Sequence, residues 1–245
     1  MTRPASSVFI TGTDTGVGKT RVASALVLAG RRAGLRALGM KPVASGAELR
    51  CGHWVNEDVE QLIAAAGVAL DPERVNPFRF APAIAPHLAA AQAGVEIELA
   101  PILAAHAALA AEADWLVVEG VGGWAVPLSP SLMQADLVRA LGLPVILVVG
   151  IRLGAINHAL LSAAAIQADG LNLVGFIANR IEPDLPAADR VLTSIADRIR
   201  VPLLADLGHG QDPAAMAERL GSVVEHCHPA LRSAPPAESP LLPVV

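Results

Sequence analysis

Gly12-Thr13-Asp14-Thr15-Gly16-Val17-Gly18-Lys19-Thr20 follows the apolar run Val8-Phe9-Ile10 and precedes a stretch of helical periodicity. In that order a buried strand delivers the chain to a turn, and glycines let backbone N–H groups converge. A helix N-terminus then adds the positive end of its dipole. The stretch reads as a phosphate cradle. Lys19 is placed to bridge the outer phosphates of a nucleotide, and Thr20 to offer its hydroxyl to Mg²⁺. Five residues separate Gly12 from Gly18, one more than the generic phosphate loop carries between its first glycine and its Gly-Lys pair.

Outward from the loop, strands and helices alternate. Val22 to Gly30 carries an apolar helical stripe closed by Gly34, and Leu35 to Met40 reads as a strand ending in Lys41-Pro42-Val43-Ala44-Ser45-Gly46. Residues 51–57 read as loop, and Asp58 opens a helical pattern to Gly67. From Asn76 to His87 a proline-rich passage predicts a long irregular working loop, with His87 as an ordinary hydrogen-bonded histidine. Leu99 to Ala111 is helical, and the buried strand Asp114 to Val118 runs into Glu119-Gly120-Val121-Gly122-Gly123-Trp124. Those glycines, Gly122 among them, permit close approach of a ligand. Further on, the pattern predicts helices over 134–141, 186–199 and 213–227, and strands over 143–150, 173–178 and 201–205. This alternation predicts a single doubly wound, mainly parallel α/β sheet flanked by helices, like that of the P-loop NTPases. One P-loop domain over residues 1–228 is expected, followed by a proline-rich tail over 229–245.

Composition narrows the function. The chain has 245 residues, a net charge of −5, no tyrosine and only 3% aromatic residues, so neither a basic face nor stacking surfaces for nucleic acid are expected. The longest central apolar run, Val145 to Ile151, is too short to span a bilayer. Cys51 and Cys227 lie far apart with no metal-ligand spacing, which points to thiols in a reducing compartment. Without a recognisable secretion signal, a cytoplasmic protein with no membrane partner is expected.

Gly12 to Thr20, Lys41 with Ser45, Asp58 and Glu119 all fall at carboxyl ends of strands or starts of helices, which is one rim of such a sheet. A nucleoside triphosphate there would be held by loop N–H groups and Lys19. Thr20, Asp58 and Glu119 would supply oxygens to Mg²⁺, and Lys41 a second cation toward the γ-phosphate.

At these residues the sequence resembles the dethiobiotin synthetases. The resemblance is carried by Gly12 to Thr20, including its longer loop, by Lys41 to Gly46, Asp58, Ala85-Pro86-His87, Val118 to Trp124 and Leu153-Gly154-Ala155-Ile156-Asn157-His158. It implies ATP-dependent carboxylation and ring closure of 7,8-diaminopelargonate with CO₂, giving dethiobiotin, ADP and phosphate in biotin biosynthesis. It further implies that Lys19 and Lys41 are catalytic, that Thr13 to Thr20, Glu119 and Asn179 bind ATP, and that Asn179 reads adenine. Thr15, Lys41, Ser45 and Gly122 would touch the diamine. In a homodimer, Gly154, Ala155 and Asn157 of the second subunit would reach the substrate carboxylate. Gly16 stands where some relatives carry an acid, and Ala205 to His209 lacks the proline-containing strand end expected near adenine. Asp14 occupies the place where the dimeric partition and septum-positioning ATPases carry a lysine, which sets the chain apart from that switch class.

Overall fold

Ser6–Gly12 forms β1, whose last five residues are buried, and five further parallel strands flank it in one sheet. The structure is a computed structural model that describes residues 5–231. Residues 232–245 of the expected tail lie outside the described residues. The other sheet strands are β2 (Ala37–Met40), β7 (Trp115–Glu119), β8 (Val145–Ile151), β9 (Leu173–Arg180) and β10 (Leu203–Leu207). Their order is β10-β9-β8-β1-β7-β2.

The central strands β7 and β8 are buried on both faces and read as unbroken runs, WLVVE and VILVVGI. Every parallel step needs a crossover, and the helices supply it. They are α1 (Lys19–Arg32), α2 (Glu57–Ala66), α5 (Leu99–Ala110), α6 (Gln134–Leu141), α7 (Ala155–Ala168), α8 (Ala188–Ile199) and α9 (Pro213–Cys227). The chain runs from β1 out to β2, returns to β7 beside β1, then crosses to β8 on the other flank. That reversal opens a crevice at the carboxyl ends of β1 and its neighbours. Because β1, β7 and β2 are adjacent, the residues just past their ends stand side by side: Thr13 onward, Glu119 and Lys41.

Between β2 and α2 the chain forms β3 (Val43–Ser45), β4 (Glu48–Arg50) and β5 (His53–Val55). The last two pair as a hairpin, which corrects the loop expected over 51–57. Cys51 and Gly52 both take positive φ, 50° and 82°, as a two-residue hairpin turn requires. The passage expected to be irregular is preceded by α3 (Pro72–Val75), contains β6 (Phe78–Phe80) and runs into α4 (Pro86–Gln92). β6 pairs in parallel with β3 outside the main sheet. Helices α6 and α9 have the expected bounds, while β10 begins and ends two residues later than expected, at Leu203 and Leu207.

Candidate active site

The site begins with the loop between β1 and α1. Gly18 precedes α1 with φ 87°, and no side chain caps the helix, so its first-turn N–H groups are open to an anion. The same conformation explains the glycine: a Cβ there would come 2.3 Å from Asn179 Nδ2. Lys19 is only 7% exposed and donates to the Asp14 carbonyl at 2.9 Å. Burial, with the charge of Lys41 nearby, lowers its pKa to about 8. Asp14 accepts from the Thr15 N–H at 2.7 Å and pairs with Arg152 at 2.6 Å, contacts that hold its carboxyl below the usual range. The loop is thereby tied to the end of β8.

Facing it is a compact charge cluster. Lys41 Nζ lies 2.7 Å from Asp58 Oδ2 and 2.6 Å from Glu119 Oε1, and the Thr20 hydroxyl donates to that same Glu119 oxygen at 2.8 Å. Glu119 ends a fully buried strand, where an ion unpaired would cost several kcal/mol. Burial opposes the charge of Lys41, but Glu119 and Asp58 outweigh it and raise its pKa above the usual lysine value. Burial works against Asp58 too, and Lys41 overrides it and lowers that carboxyl. Burial pushes the Glu119 carboxyl up against the pull of Lys41. We take Glu119 as ionised: two donors converge on Oε1, and a proton on Oε2 would find no acceptor, because that buried atom has no partner among the described residues.

Local structure fixes these groups. The backbone of Lys41 donates to the Val75 carbonyl at 2.9 Å, and its own carbonyl accepts from buried Asn76 at 2.5 Å. Asn56 caps α2 through the Val59 N–H and donates to the Ser45 carbonyl at 3.3 Å. It so closes the base of the β4–β5 hairpin and turns Ser45 and Asp58 toward one space. That space is a cleft of about 750 Å³ lined by Thr15, Gly16, Gly18, Lys19, Thr20, Lys41, Ser45, Asp58, Glu119 and Gly122, as well as by neighbours of less reactive type. The Ser45 hydroxyl is buried in the cleft wall with no hydrogen-bond partner among the described residues.

A family profile described as an AAA domain (AAA_26) matches residues 6–215. The ATP-dependent dethiobiotin synthetase BioD of Aromatoleum aromaticum is 54% identical over 222 residues, covering 90% of this chain and 98% of that protein. The chain belongs to the ATP-dependent dethiobiotin synthetases. The BioD proteins of Xylella fastidiosa and Xanthomonas euvesicatoria are 48% and 50% identical, over 88% and 86% of this chain and 96% of each relative. Among solved structures, a chain of the MinC:MinD cell division protein complex of Aquifex aeolicus superposes with a TM-score of 0.55 at 12% identity, covering 96% of this chain and 99% of that one. A ParA family ATPase from Chlorobium tepidum gives 0.50 at 16%, covering 91% and 93%. At such identities these two show the P-loop fold alone.

As a member of this synthetase family the chain is an ATP-dependent ligase, and ATP is its co-substrate. Of the expected site residues, the structure brings Thr15 to Thr20, Lys41, Ser45, Asp58, Glu119 and Gly122 together. Thr13 and Asp14 form the start of the loop, and buried Asn179 stands behind it, donating to the Val17 carbonyl at 2.8 Å. Gly154, Ala155 and Asn157, at the start of α7, do not line the cleft of this subunit. Sequence reading missed Arg152 and Gln134. Arg152 directly follows β8, so its place on the active rim was an available signal; the amide of Gln134 offered none.

Proposed function

We propose that this chain joins 7,8-diaminopelargonate, CO₂ and ATP into dethiobiotin, ADP and phosphate. The observation that carries the reading is Lys41, a buried ammonium at the junction of the phosphate loop with Asp58 and Glu119. One amine of the substrate adds to CO₂ and loses a proton, forming a carbamate. A carbamate oxygen attacks the γ-phosphorus and ADP leaves. The second amine then attacks the carbamate carbon, phosphate departs with the C–O electron pair, and the ring closes. Charge builds on oxygens at each step, and Lys19 and Lys41 are fixed cations beside them. Thr15 and Ser45 would orient the diamine, and the unpartnered Ser45 hydroxyl suits that task.

Thr20, Asp58 and Glu119 would hold Mg²⁺. One hydroxyl and two carboxylates, with Glu119 Oε2 unpartnered among the described residues, suit an ion that takes few protein ligands and fills its remaining positions with water and phosphate oxygens. Mg²⁺ would offset the negative charge of the β- and γ-phosphates. Asn179 would read adenine from behind the loop.

The chain would act as a homodimer, with Gly154, Ala155 and Asn157 of the second subunit receiving the substrate carboxylate at the start of α7. Two features support this. Asn157, Leu161, Ala164 and Ala168 are exposed at spacings that put them on one face of α7, and Leu153 just before the helix is 90% exposed. A cytoplasmic location fits the charge and thiol content, and among the described residues no helix is long and apolar enough to cross a membrane.

Incubation with diaminopelargonate, bicarbonate and MgATP, followed by mass spectrometry, should give dethiobiotin and one ADP per ring closed. ATP hydrolysis without dethiobiotin would overturn the reading in favour of a switch ATPase.

A further inference from the structure

Gln134, the first residue of α6, has no role in the chemistry above, yet it is 1% exposed and both ends of its amide are engaged. Its Oε1 accepts from the Val121 N–H at 2.8 Å, and its Nε2 donates to the Gly123 carbonyl at 2.7 Å. The Thr11 hydroxyl donates to that carbonyl as well, at 3.3 Å. These contacts grip the turn that follows Glu119, and Val121, Gly122 and Gly123 line the cleft.

A glutamine amide offers a donor and an acceptor side by side, which matches an N–H and a carbonyl two residues apart. With Val121 N–H and the Gly123 carbonyl drawn onto Gln134, the N–H groups of Gly122 and Gly123 are left with no hydrogen bond among the described residues. Gly122 has φ +63°, and a Cβ there would stand 3.9 Å from Thr15 Oγ1 across the cleft. Behind the turn there is no slack. A Cβ on Gly120 would meet Gln134 Oε1 and Phe9 Cζ at 2.7 Å each.

We propose that Gln134 is a positioning residue for the ligase reaction. It holds the turn after Glu119 so that the N–H groups of Gly122 and Gly123 face the oxygens of the carbamylated amine. The idea rests on the reaction assigned under Proposed function.

Gln134→Met keeps the side chain's length and removes both hydrogen bonds. Gln134→Glu keeps an acceptor for Val121 and sets an oxygen against the Gly123 carbonyl. The KM for diaminopelargonate should rise about tenfold in both variants, while the KM for ATP stays within about twofold of wild type. Calorimetric binding of MgADP should be unchanged. An unaltered KM for the diamine, or equal rises in both KM values, would overturn the role of Gln134. If Gln134→Met does not fold, Gln134→Glu carries the same measurements; if neither folds, Gln134 is a structural residue and the proposal fails. Wild-type turnover is the control. Its absence overturns the ligase reading itself, whereas turnover with unshifted variants overturns only the positioning role.

Discussion

Lys41 donates to Glu119 Oε1 at 2.6 Å between the ends of adjacent strands, with the lysine side chain 4% exposed and the glutamate fully buried. One ammonium thereby bridges two carboxylates, since Asp58 lies 2.7 Å from the same nitrogen. In the proposed reaction this cation would stand beside the γ-phosphate.

Lys41→Gln should leave ATP binding measurable and lower kcat by about 10²–10³-fold, the loss typical of removing one fixed donor from a developing oxyanion. Nucleotide calorimetry alongside a dethiobiotin assay separates the two effects. Normal turnover would strip Lys41 of its catalytic role.

Lys41→Met should also tighten binding of Mn²⁺ in the absence of nucleotide, because Asp58 and Glu119 lose the ammonium that competes for them. Free Mn²⁺ counted by paramagnetic resonance gives the affinity. Equal affinities in variant and wild type would show that the lysine does not compete with the ion.

For Glu119→Gln, the Mg²⁺ dependence of activity should move to higher concentration, since the neutral amide is a weaker ligand for a hard cation. A titration that overlays wild type would remove Glu119 from the set of metal-binding residues.

The buried Lys19, with its pKa lowered to about 8, gives ATP binding a pH dependence. Only the ammonium form attracts phosphate, and bound phosphate favours that form. Affinity should therefore be full below pH 8 and fall as pH rises through it, with proton uptake on binding in that range. Dissociation constants from pH 6.5 to 9.5 check the sign; a flat profile would place the free-state pKa of Lys19 higher.

Gly18→Ala should disable the loop. The added Cβ meets Asn179 Nδ2 at 2.3 Å, and φ +87° is a conformation that alanine adopts at a cost of about 1–2 kcal/mol. A lowered melting temperature and loss of measurable ATP binding are expected. Wild-type affinity would mean that the loop shifts without consequence.

Much of this was legible in the chain itself. The order of apolar runs, glycines and helical stripes determined a parallel α/β sheet, and Gly12 to Thr20 determined the phosphate loop, because local conformation and strand-to-helix order are enough to make it. Lys41, Ser45, Asp58 and Glu119 were placed on the active rim by their positions just past strands or at a helix start. The hairpin of β4 and β5 was not legible: its strands have three residues each, and its turn puts Cys51 in a conformation that favours glycine. The parallel pair β3 and β6 was hidden for a related reason, since the pairing joins segments more than thirty residues apart.

The tertiary structure alone decided how the groups on the rim partner one another. Adjacency of β1, β7 and β2 is what sets Thr20, Glu119 and Lys41 within one hydrogen-bonded cluster, and no local pattern encodes which strands become neighbours. The same is true of Arg152 on Asp14 and of Gln134 on the turn after Glu119, contacts that long-range packing creates. Sequence named the phosphate loop, both lysines and the carboxylates. Packing determined that one buried ammonium would stand between Asp58 and Glu119, because the carboxylate at the end of a fully buried strand needs a partner there.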